Sequence, residues 1–279
     1  MTLPGAPLRL LLLFVAAGLF FVWCLYLFFP TARINTLIAQ ELARQGLRLS
    51  SGAGKTMVPG LAWRDVLLSG EKGPLVEIRE ATLRPLLIPL VSGRPVLRSN
   101  VRLSAGRMEI EYGLKGERLL RLEADSIRLD GLPLVQTVLG GRAGGLLKGS
   151  GSIVRTPEGS SGEIRLEVQQ LALSGVRLGG FALPDVSGLT SQGMVRVVKG
   201  AVRLESVTLQ GPGIYMRLSG DLPGGDIARA PLNLTLEIMP KPEFLESQKL
   251  VFMLLAKFMV SPGVYRIPVR GTLLKPEIV

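Results

Sequence analysis

Histidine, the most versatile of the catalytic side chains, is absent from the chain. Without histidine the protein cannot build a Ser–His or Cys–His nucleophile, a histidine general base or a histidine-ligated zinc site. Its one cysteine, Cys24, has no partner for an intrachain disulfide. The aspartates at predicted turns and strand edges, Asp125, Asp130 and Asp221, are single carboxylates rather than members of a metal-ligand cluster. We therefore expect a protein that is not an enzyme, with no catalytic residue, no cofactor and no metal; a hydrolase whose paired carboxylates lie far apart in the sequence stays open as an alternative.

Residues 52–56 (GAGKT) imitate the end of a phosphate-binding loop. The complete motif needs a glycine five residues before Gly54, and this chain has Leu49 there. It also needs a helix directly afterwards, so that backbone N–H groups meet the phosphates, whereas Pro59 and Gly60 follow here. The segment is therefore predicted to be a β-turn with a solvated lysine.

The charge of the chain is strongly positive, with a formal net charge of +11 and an isoelectric point near 10.3. Such a balance favours anionic neighbours, which include phospholipid or lipopolysaccharide head groups, nucleic acid and acidic proteins. Nucleic-acid sites cluster their Lys and Arg and interleave aromatic residues, whereas the arginines here are dispersed and the aromatics few. We expect no nucleic-acid partner, and two interpretations remain: a dispersed, solvated basic face and a site for lipid head groups.

An uninterrupted apolar run covers residues 10–29. About 20 residues at a rise of about 1.5 Å each match the hydrocarbon thickness of a bilayer. No small-x-small cleavage site follows the run, which favours a retained anchor over a cleaved signal peptide. Basic residues are more numerous after the run than before it, which by itself favours a cytoplasmic domain and leaves the orientation open. The residues predicted to span the membrane are Leu10, Phe14, Gly18, Phe21, Trp23, Leu27 and Phe29.

The remainder divides by pattern into a helix and a β domain. Residues 1–30 form the N-terminal tail and anchor, and residues 31–46 are predicted to be a juxtamembrane amphipathic helix, capped by Thr31 and ended by Gly46. This helix either lies on the membrane or covers the first strands. Residues 47–279 alternate short apolar runs with Gly, Pro, Ser and Asn, which is typical of consecutive β-strands. A helix is expected near residues 242–260, packed on the domain or lying at a membrane interface.

One unit recurs in the β domain, with the pattern apolar-x-apolar-x-x-apolar-x-apolar-x-Gly. It starts at Leu61, Leu122, Leu166 and Val202, and a partial copy without the glycine starts at Val76. The extra central residue would turn every later side chain to the other face unless a bulge absorbs it. The positions expected on a buried face or along an apolar groove are Leu61, Trp63, Val66, Leu68, Leu122, Ile127, Leu166, Leu171, Leu204 and Leu209.

The predicted fold class is therefore all-β with an N-terminal transmembrane helix. Its core is a strongly curved, bulged antiparallel sheet, half-open and apolar on one face, with short juxtamembrane and C-terminal helices. An ordinary β-sandwich is the alternative.

Four segments carry a resemblance to a known family: the N-terminal span ending FFP at residues 28–30, residues 59–68 (PGLAWRDVLL), residues 145–152 (GLLKGSGS) and residues 265–276 (YRIPVRGTLLKP). In these the chain resembles the type II secretion system protein N family, also called general secretion pathway protein N. The strand pattern is also similar to that of AsmA-like proteins of the bacterial envelope. The resemblance implies an inner-membrane protein with a single span and a periplasmic C-terminal domain, accessory to the secretion machine and without catalytic residues.

Two functions follow as expectations. The first is a non-enzymatic component of the type II secretion system, whose partners are the inner membrane and other secretion components. The second, suggested by the AsmA-like pattern, is a lipid-binding or lipid-transfer protein that holds phospholipid or lipopolysaccharide acyl chains on a concave apolar face. In that case Trp63, Val66 and Leu68 would line the entrance of the groove. A C-terminal helix that fills the concavity would favour the first function, and an open groove that ends at the bilayer would favour the second.

Overall fold

The computed structural model of the chain describes residues 17, 20, 23, 24, 26, 28, 30–56, 59–86, 89, 92–115, 118–178, 181–224 and 229–278. Most of the predicted anchor lies outside them, namely Leu10, Phe14, Gly18, Phe21, Leu27 and Phe29, while Trp23 lies within them in helical conformation. Within these ranges no helix is both long enough and apolar enough to cross a membrane. The anchor therefore stays a prediction.

Helix α1 (Thr31–Arg44) forms where the amphipathic pattern predicted it. Pro30 occupies the N-cap position and no side chain caps the helix, so the expected role of Thr31 as the cap is wrong. The C-terminus ends as expected at Gly46, whose φ of 70° lets the N–H groups of Gly46 and Leu47 bond the carbonyls of Ala43 and Leu42. The side chain of Asn35 both accepts from and donates to the backbone of Ala53, so α1 packs on the first strands rather than standing free.

The rest of the chain is one large antiparallel sheet, as predicted, with small additions. Its strands are β1 (Arg48–Leu49), β2 (Gly54–Lys55), β3 (Leu61–Gly70), β4 (Gly73–Pro85), β5 (Val96–Leu103), β6 (Gly106–Gly113), β7 (Arg118–Arg128), β8 (Arg142–Thr156), β9 (Gly159–Ser174), β12 (Val186–Val198), β13 (Ala201–Gly211), β14 (Ile214–Leu222), β15 (Asn233–Pro240), β16 (Met259–Ser261), β17 (Val264–Thr272) and β18 (Lys275–Ile278). A separate two-stranded ribbon consists of β10 (Arg177–Leu178) and β11 (Phe181–Ala182).

Short helices interrupt this sheet at two places. A 3-10 turn (Leu129–Gly131) leads into α2 (Pro133–Leu139). After β15 come α3 (Pro242–Ser247), α4 (Lys249–Leu254) and a second 3-10 turn (Ala256–Phe258). The predicted helix near 242–260 is therefore two short helices, and its last two residues belong to β16.

From β3 to β9 and again from β12 to β15 each strand pairs with the next one along the chain. Both edges carry short strands instead of a long free strand: β1 and β2 pair with β3, and β16 and β18 pair with β17. On its outer edge β17 pairs with β16 at Val264 and Tyr265 and with β18 from Val269 onward. Pro268 lies between these two stretches and has no N–H to donate to another strand. These are devices that prevent edge-to-edge extension of a sheet.

Bulges occur where the recurring unit has its extra residue. Asp65, Ser126 and Gln170 are the second residues of the central pair in three copies, and each has a φ between 50° and 54°. The pairing shifts register at Ser126 and Gln170, whereas the pairs on either side of Asp65 keep one register, since the partial copy opposite it on β4 carries an extra residue too. In the fourth copy the pairing of β13 with β14 skips a residue between Leu204 and Val207. Because the bulge absorbs the extra residue, the apolar side chains before and after it stay on one face.

The sheet is curved strongly enough that its first and last hairpins meet. A methyl group built on Gly70, at the end of β3, would lie 3.7 Å from Cδ1 of Leu274, in the turn between β17 and β18. Helix α2 contacts β4, β8 and β18, and the Thr137 hydroxyl donates to the carbonyl of Pro74 at 2.5 Å. The register places the turns at Gly70 and Leu274 at opposite ends of the strands, so the sheet twists as it curves and its two edges meet beside α2.

Candidate functional surfaces

The strand register places the predicted groove residues on a single face of the sheet, which we call the apolar face. Across this face Leu61 pairs with Leu83, Ile110 with Leu122, Gly149 with Leu166, and Val195 with Leu204. Leu61, Val66, Ile127, Leu171 and Leu204 are buried, whereas Trp63, Leu68, Leu122, Leu166 and Leu209 are half-buried. The neighbouring arginines Arg121, Arg128, Arg165 and Arg203 are exposed.

Over strands β12–β17 the apolar face is a packed core. Phe252 and Leu255 of the C-terminal helical segment lie in one cluster with Leu204, Ile238 and Ile267, and Leu255 is 0% exposed. The rings of Phe252 and Tyr265 have centroids 5.2 Å apart, and Phe244 and Phe252 meet edge to face. The helices therefore fill the concavity over the C-terminal strands.

Over strands β4–β8 the apolar face is covered less completely. A second, smaller cluster forms beside α2, where Ala105, Ala124 and Ile127 are buried and Leu132 packs against them. Toward the other end of the strands a row of half-buried side chains lies outside both clusters, which we call the open strip: Leu83, Leu97, Ile110, Tyr112, Leu120, Leu122 and Ile153.

The open strip lies at the end of the sheet that the N-terminal segment approaches. The Tyr26 hydroxyl is 2.7 Å from the carbonyl oxygen of Thr56 and 2.8 Å from that of Gly60, immediately before β3. It also accepts a hydrogen bond from the Thr56 N–H. The end of the predicted anchor is thus tied to the first residues of the sheet beside Leu61 and Leu83.

The predicted entrance at Trp63, Val66 and Leu68 is wrong for Val66, which is only 3% exposed. Val66 pairs with Ile78 on β4, and β1 and β2 cover the outer edge of β3 on either side of it. An added charge at Val66 would therefore be buried without a partner.

A groove with a volume of about 1260 Å³ lies on the opposite, polar face. It crosses strands β4–β9, β12 and β13, and Asp125 in its lining directly precedes the bulge residue Ser126. Its charged lining is balanced, with five acidic and five basic side chains: Glu80, Glu109, Glu123, Asp125, Glu167, Arg84, Arg102, Arg107, Lys148 and Arg165. The sequence pattern predicts a concave surface on the apolar face alone and does not predict this groove.

Cross-strand ion pairs account for much of this polar surface. Arg107 donates to Asp125 at 2.8 Å, and Arg102 lies 3.3 Å from Glu80 on the neighbouring strand. Arg98 lies 2.6 Å from Glu111 and 3.0 Å from Glu109. The hydrogen bond to Glu111 raises the pKa of Arg98, and the hydrogen bond from Arg107 lowers the pKa of Asp125, with a smaller contribution from the Ser126 hydroxyl.

These pairs are mostly solvent-exposed, which is typical of a sheet face in water rather than of a catalytic centre. The described residues contain no cluster of three or more side chains that could hold a metal ion. The balanced charge also gives the groove no excess of positive potential for phosphate groups. The sequence does contain a signal for a charged surface here, because charged residues occupy the alternate positions of the recurring unit.

The chain matches no protein-family model, no curated protein and no solved structure.

Proposed function

We propose that this chain is a non-enzymatic, single-span inner-membrane component of the type II protein secretion system, and that its periplasmic β domain acts by contact with other proteins. The proposal rests on the sequence resemblance and on one structural observation. Helices α3 and α4 pack on the apolar face over the C-terminal strands, with Phe252 and Leu255 in the main core. A lipid channel along the whole sheet needs that space, whereas a protein-binding scaffold does not.

The open strip is where this proposal places contact with a partner. An apolar row at the end of β4–β8 away from α2 is a surface that a partner protein can bury, with exposed ion pairs of the polar face around it. Leu122 lies at its centre, between Ile110 on β6 and Gly151 on β8.

The test is purification of the tagged, full-length chain from detergent-solubilised membranes, with proteins and lipids identified by mass spectrometry. We expect other secretion-system components to co-purify with the wild type and to be lost from a Leu122→Lys variant. Arg121→Gln is the matched control, because Arg121 is the preceding residue and is exposed on the polar face. Circular dichroism confirms that each variant is folded. Co-purification that Leu122→Lys leaves unchanged would exclude the open strip as the contact surface.

The second candidate is lipid binding, and a separate observation favours it. The open strip lies at the end of the sheet to which Tyr26 ties the N-terminal segment, so acyl chains from a bilayer would reach it first. If this candidate is correct, the same purification yields phospholipid or lipopolysaccharide with the wild type and with Arg121→Gln, but not with folded Leu122→Lys.

Topology is a prediction that both candidates share. A reporter that is active only in the periplasm, fused after Val279, should be active. Activity of a cytoplasm-only reporter at the same position would overturn both candidates, and Arg33, Arg44 and Arg48 would then follow the positive-inside rule.

A further inference from the structure

The C-terminal helical segment carries an exposed apolar surface that the core does not use. We call it the C-terminal patch and define it as Leu250, Met253, Leu254, Met259 and Val260, which are between 50% and 78% exposed. Leu250, Met253 and Leu254 are spaced i, i+3 and i+4 and so share one face of α4. Met259 and Val260 follow in β16.

The opposite side of this segment faces the core. Phe252, Leu255 and Phe258 are buried and belong to the main cluster. The segment is therefore apolar all round, although only one side packs against the sheet. A surface helix normally carries polar residues on its outer side, and an exposed apolar patch of this kind marks a binding surface.

The charged side chains within the segment that carries the C-terminal patch are basic, while Glu246 precedes it and the backbone of Asp185 hydrogen-bonds to Gln248 at its start. Residues 247–276 contain no Asp or Glu. Lys249 begins α4, and the Lys257 ammonium lies 4.6 Å from the centroids of the Phe181 and Phe258 rings. An apolar helix face flanked by lysines is the combination that binds the interface of an anionic bilayer, where the apolar side chains enter the acyl boundary and the lysines meet phosphate groups.

We propose that the C-terminal patch docks on an anionic phospholipid surface. This inference does not depend on the proposed function. Addition of a strand from a second copy is disfavoured because β16 is short and Pro268 interrupts the donors of β17. The C-terminal patch follows β15 after Pro240, and the N-terminal segment meets β3 at Gly60. The strand register places Pro240 and Gly60 at opposite ends of the strands. Docking there is thus a second membrane contact, separate from the predicted anchor.

The experiment places an environment-sensitive fluorophore on the full-length chain in proteoliposomes. In a Cys24→Ser background, Leu254→Cys carries the label in the patch, and Val198→Cys is the matched control. Val198 is also an exposed apolar residue, but it lies on β12 next to the turn at Lys199. Vesicles contain phosphatidylcholine with or without phosphatidylglycerol, and nitroxide lipids serve as quenchers.

We expect the label at residue 254 to shift its emission to shorter wavelength and to be quenched by nitroxide lipid when phosphatidylglycerol is present, while the label at residue 198 stays in water. Adding Lys249→Gln to the Leu254→Cys protein should lower the ratio of docked to free label about fivefold, because one cation near the anionic surface is removed. Identical, water-like emission at both positions would overturn the proposal. A second result would also overturn the proposal: a blue-shifted emission at residue 254 that increases with the number of protein molecules per vesicle and is not quenched by nitroxide lipid. That result would indicate a protein contact.

Discussion

The division of the apolar face into a packed half and an open strip predicts different costs for the same substitution at two matched leucines. Leu204 lies between Val195 and Gly220 in the register, and Leu122 lies between Ile110 and Gly151. Each leucine thus has one β-branched neighbour and one glycine on its own row. Leu204 is buried in the main cluster with the C-terminal helices, whereas Leu122 is half-buried in the open strip.

Leu204→Ala removes side-chain atoms from a packed core and leaves a cavity, which costs about 2–5 kcal/mol of unfolding free energy. Leu122→Ala removes a side chain that is still partly in water, so we expect a loss of about 1 kcal/mol, roughly half the value of a fully buried leucine. For a domain of this size each kcal/mol lowers Tm by about 2–4 °C. The expected falls in Tm are therefore about 4–20 °C for Leu204→Ala and about 2–4 °C for Leu122→Ala.

The assay is thermal unfolding of the purified full-length variants in one detergent, followed by circular dichroism. A large fall for Leu122→Ala, equal to that for Leu204→Ala, would refute the open strip and indicate a core closed along its whole length. Small falls for both variants would instead refute a packed core on the apolar face over β12–β17.

Three further predictions concern single positions. Gly213 has a φ of 81°, and an added Cβ would lie 2.9 Å from Cβ of Phe244, so Gly213→Ala should lower Tm by several degrees by displacing α3. At the bulge residue Gln170, with a φ of 54°, Gln170→Val should destabilise the fold by about 1–2 kcal/mol in denaturant titrations while Gln170→Gly stays close to wild type. Because Arg107 lowers the pKa of Asp125, Arg107→Ala should raise that pKa in a carboxyl NMR titration. The stabilisation from this pair is present above the ordinary carboxyl pKa and is lost as the pH falls through the lower value in the folded protein; an unchanged Asp125 pKa in the variant would contradict the assignment.

The strand pattern contained enough information to predict the bulges and the apolar face. In the three copies where the extra residue is Asp65, Ser126 or Gln170, that residue adopts a left-handed conformation. Because side chains alternate with a period of two, the spacing of the apolar residues determines both where a bulge must come and which residues share a face. The end of α1 at Gly46 could be predicted for a similarly local reason, since glycine readily adopts the left-handed conformation that follows a helix.

Which parts of the apolar face are covered by helices and which stay open could not be predicted from the local sequence pattern. The positions of α3 and α4 over β12–β17 depend on tertiary contacts such as that between Phe252 and Tyr265. The spacing of these two residues in the sequence does not reveal over which strands the helices pack. Val66 has the same place in its unit as Ile127 and Leu171, but no spacing rule predicts that β1 and β2 cover the edge beside it. The polar groove was missed because the direction in which a bulge bends a strand is a three-dimensional property that alternation does not encode.

The most direct test of the proposed function is photo-crosslinking of the full-length chain in intact cells, with a photoreactive residue at position 122 and, as the control, at position 121. We predict adducts with secretion-system proteins from position 122 and none from position 121, which is on the polar face. Adducts with phospholipid or lipopolysaccharide at position 122, without protein adducts, would contradict a protein-binding role for this surface and support the lipid-binding candidate.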